Sequence, residues 1–372
     1  MDMLFIILLF LSIYSYLLYP PILFVFARVM QSPWTKGDAK PTVSIIISAY
    51  NEERVIREKI LNTLALDYPG DLLEIVVNSD GSTDGTNEIV AGFEDSRIVL
   101  RVFERLGKTA CLNRAVPEAK GKIVLFSDAN SMYPSTLLTN LVKNFADPDV
   151  GLVTGWTKYR MQDGGQETTS LYSRLEKITK SWESRISSCV GADGAIFAIR
   201  KSLYVPLEEH DINDFVIPLN LIKQGKRVVL DSAVFCFEEP SGDSGKEYKR
   251  QVRITTRTLN AIRHNIAFLN PFKFGFFSFF LMSHKVIRFL VPIFLIGTFV
   301  SNLFLLKISS FYIMTFFGQI MFYILGLIGI LGFYDGRISN VAKFFLLTLL
   351  AQFVGSIRLL FGVSDTIWTP QR

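Results

Sequence analysis

Long apolar stretches at both ends of the chain constrain its fold more than any other feature. Residues 3–29 are nearly uncharged and long enough to cross a bilayer once. They lack a preceding basic segment and a small-residue cleavage site, so we expect a retained anchor rather than a cleaved signal. From Pro271 onward the chain is again mostly apolar, and further spans are predicted at 286–306, 311–331 and 341–363.

The composition agrees with a protein that is partly in lipid. The 372 residues are 49% hydrophobic and 20% charged, with 32 Phe, which is too apolar for an ordinary soluble enzyme. The formal charge of +5 is modest, and no basic run is interleaved with aromatic residues, so no nucleic-acid partner is predicted. Cys111, Cys189 and Cys236 are odd in number and widely spaced, which favours core thiols over disulfides or a zinc site.

The distribution of positive charge predicts the orientation in the membrane. Arg28, Lys36 and Lys40 follow the first span, whereas only Asp2 precedes it. Short loops on the cytoplasmic side are enriched in Lys and Arg. We therefore expect an integral membrane protein whose middle domain is cytoplasmic and whose basic residues contact membrane lipids.

The middle of the chain, residues 41–270, begins with alternating strand and helix patterns. The predicted strands are 43–49, 73–78, 98–104 and 122–127, and the predicted helices are 52–65, 84–93 and 108–119. Such alternation is typical of the α/β class with a doubly wound, mostly parallel, Rossmann-like sheet.

Polar residues follow three of these strands at the point where each apolar run ends. Tyr50 and Glu52 follow the first strand, Asp80 the second and Asp128 the fourth. The carboxyl ends of parallel strands meet at one edge, where α/β folds hold nucleotides and their metals. The sequence therefore predicts one polar crevice at this edge.

Eight short motifs then occur along the chain in a fixed order. They are Ser48-Ala-Tyr-Asn-Glu52, Ser79-Asp-Gly-Ser-Thr-Asp84, Gly107-Lys-Thr-Ala-Cys-Leu-Asn113, Ser127-Asp-Ala-Asn130, Gly191-Ala-Asp-Gly-Ala195, Asn213-Asp-Phe215, Arg250-Gln-Val-Arg253 and Trp368-Thr-Pro-Gln-Arg372. Together they resemble the membrane-bound glycosyltransferases of family 2 with a GT-A fold, the group that contains hyaluronan, chitin, cellulose and poly-N-acetylglucosamine synthases.

The resemblance implies that the protein is an inverting glycosyltransferase of the plasma (inner) membrane with a cytoplasmic catalytic domain. The expected donor is a nucleotide sugar, with a UDP-sugar favoured, and the expected product is a growing polysaccharide. Single addition to a polyprenyl-linked or other lipid-linked acceptor is the alternative. From a different class, a membrane binding or transport protein with a disused sugar-nucleotide domain stays open.

The resemblance also assigns the donor site. Tyr50, Glu52 and Asp80 match positions that bind the nucleoside, and Lys108 would meet a phosphate at the start of a helix. The simpler interpretations are a turn that caps a helix at Asp80 to Asp84, and a solvated lysine.

Asp128 matches the first aspartate of the family's metal-binding Asp-X-Asp motif. A hard cation, Mg²⁺ or Mn²⁺, would neutralise charge on the departing diphosphate. Asn130 replaces the second aspartate, so the cation would be held by one charge, phosphates and water. The alternative for Asp128 is an Asx turn that ends the strand.

Direct displacement at the anomeric carbon needs a carboxylate to take the proton of the acceptor hydroxyl. Asp214 matches the last acid of the family's Thr-Glu-Asp type motif and is the candidate base; Asp211 and Glu209 are near in sequence, and a helix N-cap is the alternative role. Asp193 lies in the segment that resembles the wall for acceptor and donor sugar, where a structural role is equally open.

The remaining motifs match only partly. Arg250 and Arg253 fall at the family's Gln-X-X-Arg-Trp segment over the donor diphosphate, on one face of a predicted helix, but Ile254 stands where the tryptophan is expected. That replacement favours single addition over processive synthesis, and a charged surface helix is the simpler alternative. Trp368 resembles an acceptor-side motif, which requires a cytoplasmic C-terminus although three crossings would place it outside.

These assignments give five segments. Residues 1–30 form the N-terminal transmembrane helix, 41–270 the GT-A domain, 271–285 an interfacial amphipathic helix, 286–363 about three transmembrane helices and 364–372 the tail. The span that follows could instead begin within the interfacial segment.

Overall fold

The computed structural model describes residues 1–160, 171–240, 243–334 and 336–362. The chain forms two compact units, one built mainly from Leu23–Pro240 and the other containing Met1–Ile22 and most of the chain beyond position 243. The motif around Trp368 and the predicted tail lie outside the described residues.

Fourteen α-helices lie in the described part of the chain. They are α1 (Asp2–Ile13), α2 (Tyr19–Val29), α3 (Ile56–Leu64), α4 (Thr86–Ala91), α5 (Lys108–Glu118), α6 (Leu137–Val142), α7 (Leu171–Ile186), α8 (Asn213–Lys223), α9 (Ser244–His264), α10 (Pro271–Phe274), α11 (Phe276–Leu281), α12 (Ile287–Leu303), α13 (Ser310–Ile330) and α14 (Arg337–Leu360).

The unit built from Leu23–Pro240 is centred on a mixed sheet. Its strands are β1 (Val43–Ala49), β2 (Leu73–Asp80), β3 (Ile98–Phe103), β4 (Ile123–Asp128), β5 (Val150–Tyr159), β6 (Ile196–Arg200) and β7 (Arg227–Glu238). Their order is β3-β2-β1-β4-β6-β5-β7, and only β6 runs antiparallel to its neighbours.

Burial on both faces explains why the central strands read as unbroken apolar runs. Every residue of β1 and β2 is buried. One face packs against apolar side chains of α3, α4 and α6, and on the other face Phe126 of β4 stacks on Phe197 of β6 at 4.6 Å between ring centroids. Parallel sheets covered on both sides need such runs, because neither face meets water.

The predicted fold class is confirmed, and its first half was predicted to within a few residues. The four strands and three helices expected before position 128 are all present. The second half differs, since the antiparallel strand β6 lies between β4 and β5, an arrangement that the alternating pattern does not predict. Short apolar runs such as 196–200 are buried in either strand direction, so the hydrophobic pattern does not indicate whether such a strand is parallel or antiparallel.

In the part of the chain that the structure describes, four helical segments are long and apolar enough to cross a membrane. They are Asp2–Val29, Phe276–Leu303, Ser310–Ile330 and Ile338–Leu360. The second of these includes much of the segment 271–285 for which an interfacial position was expected. The interfacial position of that segment stays a prediction.

Two π-helical turns pack against each other in the unit that contains Met1–Ile22, at Tyr14–Leu18 and Met282–Val286. The Tyr14 hydroxyl lies 3.0 Å from Ser283 Oγ, and Ser15 Oγ donates to the Ser283 carbonyl oxygen at 2.9 Å. A π turn frees backbone carbonyls from their usual partners. The serine hydroxyl satisfies one of them inside an otherwise apolar bundle.

Gly121, between α5 and β4, packs closely against β1, and a substitution there tests this packing. A Cβ there would lie 2.3 Å from the Ser44 backbone nitrogen, which cannot move without displacing β1. We expect Gly121→Ala to lower the free energy of unfolding by roughly 1–3 kcal/mol, as overpacking does. Thermal unfolding of the purified protein measures this.

Gly92→Ala is the matched control, since its Cβ would meet only ordinary contacts at 3.4 Å and beyond. Equal unfolding temperatures for the two variants would contradict the close approach of β1 to Gly121.

Candidate active site

The register of the parallel strands brings the predicted site residues to one edge of the sheet. Ala49 of β1 pairs with Ser79 of β2, and Ser48 of β1 pairs with Asp128 of β4. Tyr50 and Asp80 each follow one of these paired positions directly. The structure therefore places the ends of three strands side by side, as the sequence predicted.

Asp80 organises the loop that precedes α5. It is buried, and its carboxylate accepts hydrogen bonds from the backbone N–H of Leu106 at 2.7 Å and of Gly107 at 3.0 Å. The Arg105 guanidinium pairs with the same carboxylate. These contacts fix the loop 105–107 against the end of β2.

Arg105 also covers Tyr50. Its guanidinium carbon lies 3.5 Å from the centroid of the Tyr50 ring, a stacked cation–π geometry. Arg105 was not among the predicted site residues, although its place two residues before Gly107 was the available signal. The pair forms a flat surface beside the end of β1.

The turns after β1 and β2 hold each other. Asn51, with a φ of 54°, accepts a hydrogen bond from the Thr83 N–H at 2.8 Å, and the Glu53 carboxylate accepts one from the Gly85 N–H at 3.0 Å. Glu52 is buried, and its N–H donates to Thr86 Oγ1 at 2.8 Å. The two turns therefore form one rigid element.

Asp84 precedes Gly85, the N-cap residue of α4, and forms a turn at the start of that helix. Its Oδ1 accepts from the Thr86 N–H at 3.0 Å, at the first residue of α4. Burial alone would raise the pKa of Asp84, but hydrogen bonds from Thr86 and from the Glu53 N–H outweigh it and lower that pKa. A negative charge near the start of a helix is stabilising.

Lys108 and Asp128 form an ion pair at the centre of this edge. Lys108 Nζ donates to Asp128 Oδ1 at 2.6 Å, and the two side chains are only 12% and 25% exposed. Lys108 is the first residue of α5, and Gly107 before it has a φ of 89°. The lysine is therefore held at the site and is not the solvated side chain of the simpler interpretation.

The donor set at Asp128 suits a hard cation that brings further ligands of its own. Asp128 offers a carboxylate and Asn130, half-buried two residues later, an amide oxygen. Within the described residues no group of three or more His, Cys, Asp or Glu could hold a metal. Oxygen ligands of this kind fit Mg²⁺ or Mn²⁺, with phosphate and water completing the coordination.

A buried lysine clamps the turn that follows Asp128. Lys59 on α3 is fully buried, donates to the Ser131 carbonyl oxygen and lies 3.4 Å from the centroid of the Tyr133 ring. Asn62, one turn along, accepts from the Tyr133 N–H at 2.7 Å and donates to its carbonyl oxygen at 2.9 Å. Burial lowers the pKa of Lys59 to about 7, although nearby acidic groups, Asp128 among them, oppose that shift.

Lys59 was not among the predicted site residues either. It occupies the same helical face as Ile56, Ile60 and Thr63, all of which are buried. The available signal for Lys59 was a charged residue at a position where the helical periodicity predicts a core side chain.

Asp214 lies in the first turn of α8, where Ile212 is the N-cap residue, so the capping alternative is not what the structure shows. A Cβ on Gly194 would lie 2.9 Å from Asp214 Oδ2, and the Ala192 N–H donates to the Asp214 carbonyl oxygen at 2.7 Å. The loop 191–195 therefore wraps closely around this aspartate.

The two neighbouring acids differ from Asp214 in their surroundings. Asp211 is buried and accepts from the Glu208 N–H at 3.0 Å, whereas Glu209 is exposed. Thr109 Oγ1, one residue after Lys108, donates to the Asp211 carbonyl oxygen at 3.1 Å. This contact joins the segment that carries Asp214 to the start of α5.

Asp193 makes structural contacts in the same loop. Its carboxylate accepts from the Thr157 N–H at 2.9 Å, the Thr157 hydroxyl at 3.0 Å and the Ala195 N–H at 3.1 Å. Burial raises the pKa of Asp193, and the nearby Lys180 acts against that rise. The residue ties the loop 191–195 to β5.

Arg250 and Arg253 belong to the other unit, on α9, which confirms the predicted helix. Arg250 Nε donates to Glu247 Oε2 at 2.9 Å. The same helix packs closely on α14, where Thr256 Oγ1 donates to the Gly355 carbonyl oxygen at 3.3 Å.

Comparison with known proteins finds relatives of the unit built from Leu23–Pro240. The profile described as Glycosyl transferase family 2 matches residues 44–204. A poly-beta-1,6-N-acetyl-D-glucosamine synthase of Staphylococcus aureus is 25% identical over 232 residues, which cover 60% of this chain and 56% of that protein. A probable glycosyltransferase of Bacillus subtilis, YdaM, is 29% identical over 178 residues, 44% of this chain and 41% of that protein.

The likeness extends to solved structures. A mannosyltransferase from Pyrobaculum calidifontis, solved in complex with GDP-Man and Mn²⁺, superposes with a TM-score of 0.70 at 22% identity and covers 96% of this chain and 99% of its own. The chain thus spans little more than half of the curated synthase but nearly all of this structural neighbour. Residues 44–204 thus match a glycosyltransferase family 2 domain, and the sheet and this structural likeness show a GT-A fold.

Proposed function

We propose that the chain is an inverting, membrane-anchored glycosyltransferase that takes a sugar from a nucleotide-sugar donor. The observation that carries the proposal is the Lys108–Asp128 pair, at the edge where β1, β2 and β4 end and next to the segment that contains Asp214. Direct displacement requires a cation-bound diphosphate, an anomeric carbon and a base close to one another.

The donor's nucleoside is assigned to the ends of β1 and β2. Asp80 fixes the loop that carries Arg105, and the Arg105 guanidinium stacks on one face of the Tyr50 ring. Glu52 is buried beneath the interlocked turns. In this proposal a base stacks at the Tyr50–Arg105 surface, and a UDP-sugar is the expected donor.

The donor's diphosphate is assigned to the edge at Asp128 and the start of α5. Asp128 and Asn130 would hold Mg²⁺ or Mn²⁺, which stabilises negative charge on the leaving diphosphate when bound. Lys108 and the first amides of α5 would receive phosphate oxygens. Arg250 and Arg253 on α9 are proposed as further diphosphate ligands, since guanidinium groups suit phosphate oxygens.

Asp214 is proposed as the catalytic base. It would accept the proton of the acceptor hydroxyl as that oxygen attacks. Gly194 and Ala192 hold it in place through close contact and a backbone hydrogen bond. Asp193 and Trp368 are proposed for the acceptor and donor-sugar side, Asp193 through the loop that it ties to β5.

The proposed acceptor is a growing polysaccharide, with a lipid-linked acceptor and single addition as the second candidate. Ile254 favours the second candidate, because it removes the aromatic ring expected beside a long glycan. The four apolar helices and the basic residues after the first span support a catalytic unit on the cytoplasmic face of the plasma (inner) membrane.

Transfer assays test the proposal directly. The purified protein would be incubated with individual UDP- and GDP-sugars and Mg²⁺ or Mn²⁺, while released nucleotide and product size are measured. We expect Asp128→Ala and Asp214→Asn each to abolish transfer, by about 10³-fold or more, in protein that unfolds at the wild-type temperature.

Glu209→Gln is the matched control, an exposed acid near Asp214 that should retain full transfer. Full transfer by either active-site variant would remove the mechanism. A protein silent with every donor would support the alternative of a disused sugar-nucleotide domain.

Gly194 tests how Asp214 is positioned. A methyl group there would displace the Asp214 carboxylate by its contact with Oδ2. We expect Gly194→Ala to lower kcat by about ten- to a hundredfold with little change in KM for the donor, as for a misplaced base. Steady-state kinetics with varied donor separates the two parameters.

Gly92→Ala serves as the control glycine, since it lies outside the site and admits a Cβ with ordinary contacts. A Gly194→Ala enzyme with wild-type kcat would show that this contact does not hold the base.

A further inference from the structure

We infer that Lys108 takes the place of the divalent cation at Asp128 in the donor-free protein, and passes to the donor's diphosphate when cation and nucleotide bind together. The inference rests on the proposed function, because it assigns a diphosphate and a cation to this edge. In this inference, a cation binds at Asp128 only when Lys108 has another anion to bind.

The contact itself is direct and enclosed. Lys108 Nζ approaches Asp128 Oδ1 at 2.6 Å, and little of either side chain meets water. Asp128 is also the residue whose oxygen a cation would bind. The same carboxylate therefore has two possible partners, an ammonium group from the same chain and a metal ion from solution.

Lys108 lies at the start of its helix, where an anion is favoured and an unpaired lysine is not. Lys108 is the first residue of α5, a helix of 11 residues. The start of a helix is electrostatically positive, so a cation in the first turn is unfavourable there and an anion is favourable. Asp128 supplies that anion in the donor-free state, and a diphosphate would supply a stronger one.

The surroundings of Asp128 disfavour a cation that arrives without a diphosphate. Asn130 contributes no charge, and the described part of the chain holds no cluster of three metal-binding side chains. A divalent ion at Asp128 would lie close to the Lys108 ammonium, which already contacts Oδ1 of that carboxylate. Like charges at such distances repel strongly in a partly buried site.

A nucleoside diphosphate removes this conflict. Its oxygens bind the incoming cation and also accept hydrogen bonds from the displaced Lys108 ammonium. Each ligand then improves the site for the other, so cation and nucleotide bind with positive coupling. Lys108 is the residue that enforces this order.

Mn²⁺ binding without nucleotide gives the sharpest test, measured by electron paramagnetic resonance on the full-length protein in detergent. We expect Lys108→Gln to bind Mn²⁺ alone about tenfold more tightly than wild type, and to bind UDP or GDP in the presence of Mn²⁺ more weakly. Lys108→Met should behave in the same way, whereas Lys108→Arg, which keeps the charge, should not bind Mn²⁺ more tightly. Lys120→Gln is the matched control, an exposed lysine of the same unit that should leave both affinities unchanged.

Two outcomes separate this inference from the function on which it rests. If Lys108→Gln and Lys108→Met, folded by their unfolding temperatures, bind Mn²⁺ alone no more tightly than wild type, the placeholder role is wrong. If Asp128→Ala binds Mn²⁺ with UDP and with GDP as well as wild type does, the diphosphate site itself is wrong. Tighter Mn²⁺ binding in both neutral variants, lost again when Asp128→Ala is added, establishes the exchange.

Discussion

The parallel pairing of β1 with β2 and with β4 is the constraint on which the rest of the site depends. It aligns Ser48 with Asp128 and Ala49 with Ser79, so that the residues directly after each strand share one edge. All three strands are buried along almost their whole length, and a shift of one residue would turn each apolar side chain to the opposite face. The stability of the core therefore fixes the geometry of the edge.

The loops at that edge are held by their own polar contacts rather than by the core. Asp80 binds the loop that carries Arg105, and the Lys59 ammonium binds the turn after Asp128. The first contact is partly buried and the second fully buried, and an unpaired charge or backbone group in such a place is costly. Such contacts keep the site ordered before a donor arrives, which reduces what binding must rearrange.

The sequence predicted what depends on local pattern and missed what depends on pairing between distant segments. The strand at 43–49 and the helix starting at Lys108 have their predicted bounds or nearly so, because hydrophobic runs and a glycine before the helix mark them. The antiparallel β6, the stacking of Arg105 on Tyr50 and the clamp by Lys59 were not predicted, since each joins residues that are far apart in the chain. The roles given to Asp128 and Asp214 came from resemblance, and the structure adds the neighbours that make those roles physically reasonable.

A structure of the full-length protein with a nucleoside diphosphate and Mn²⁺, recorded at a wavelength where manganese scatters anomalously, tests the central claim most directly. The account predicts an anomalous peak within coordination distance of Asp128, with the diphosphate beside the first turn of α5 and the Lys108 ammonium turned from Asp128 to a phosphate oxygen. A nucleotide bound away from this edge, or manganese that does not contact Asp128, would contradict it.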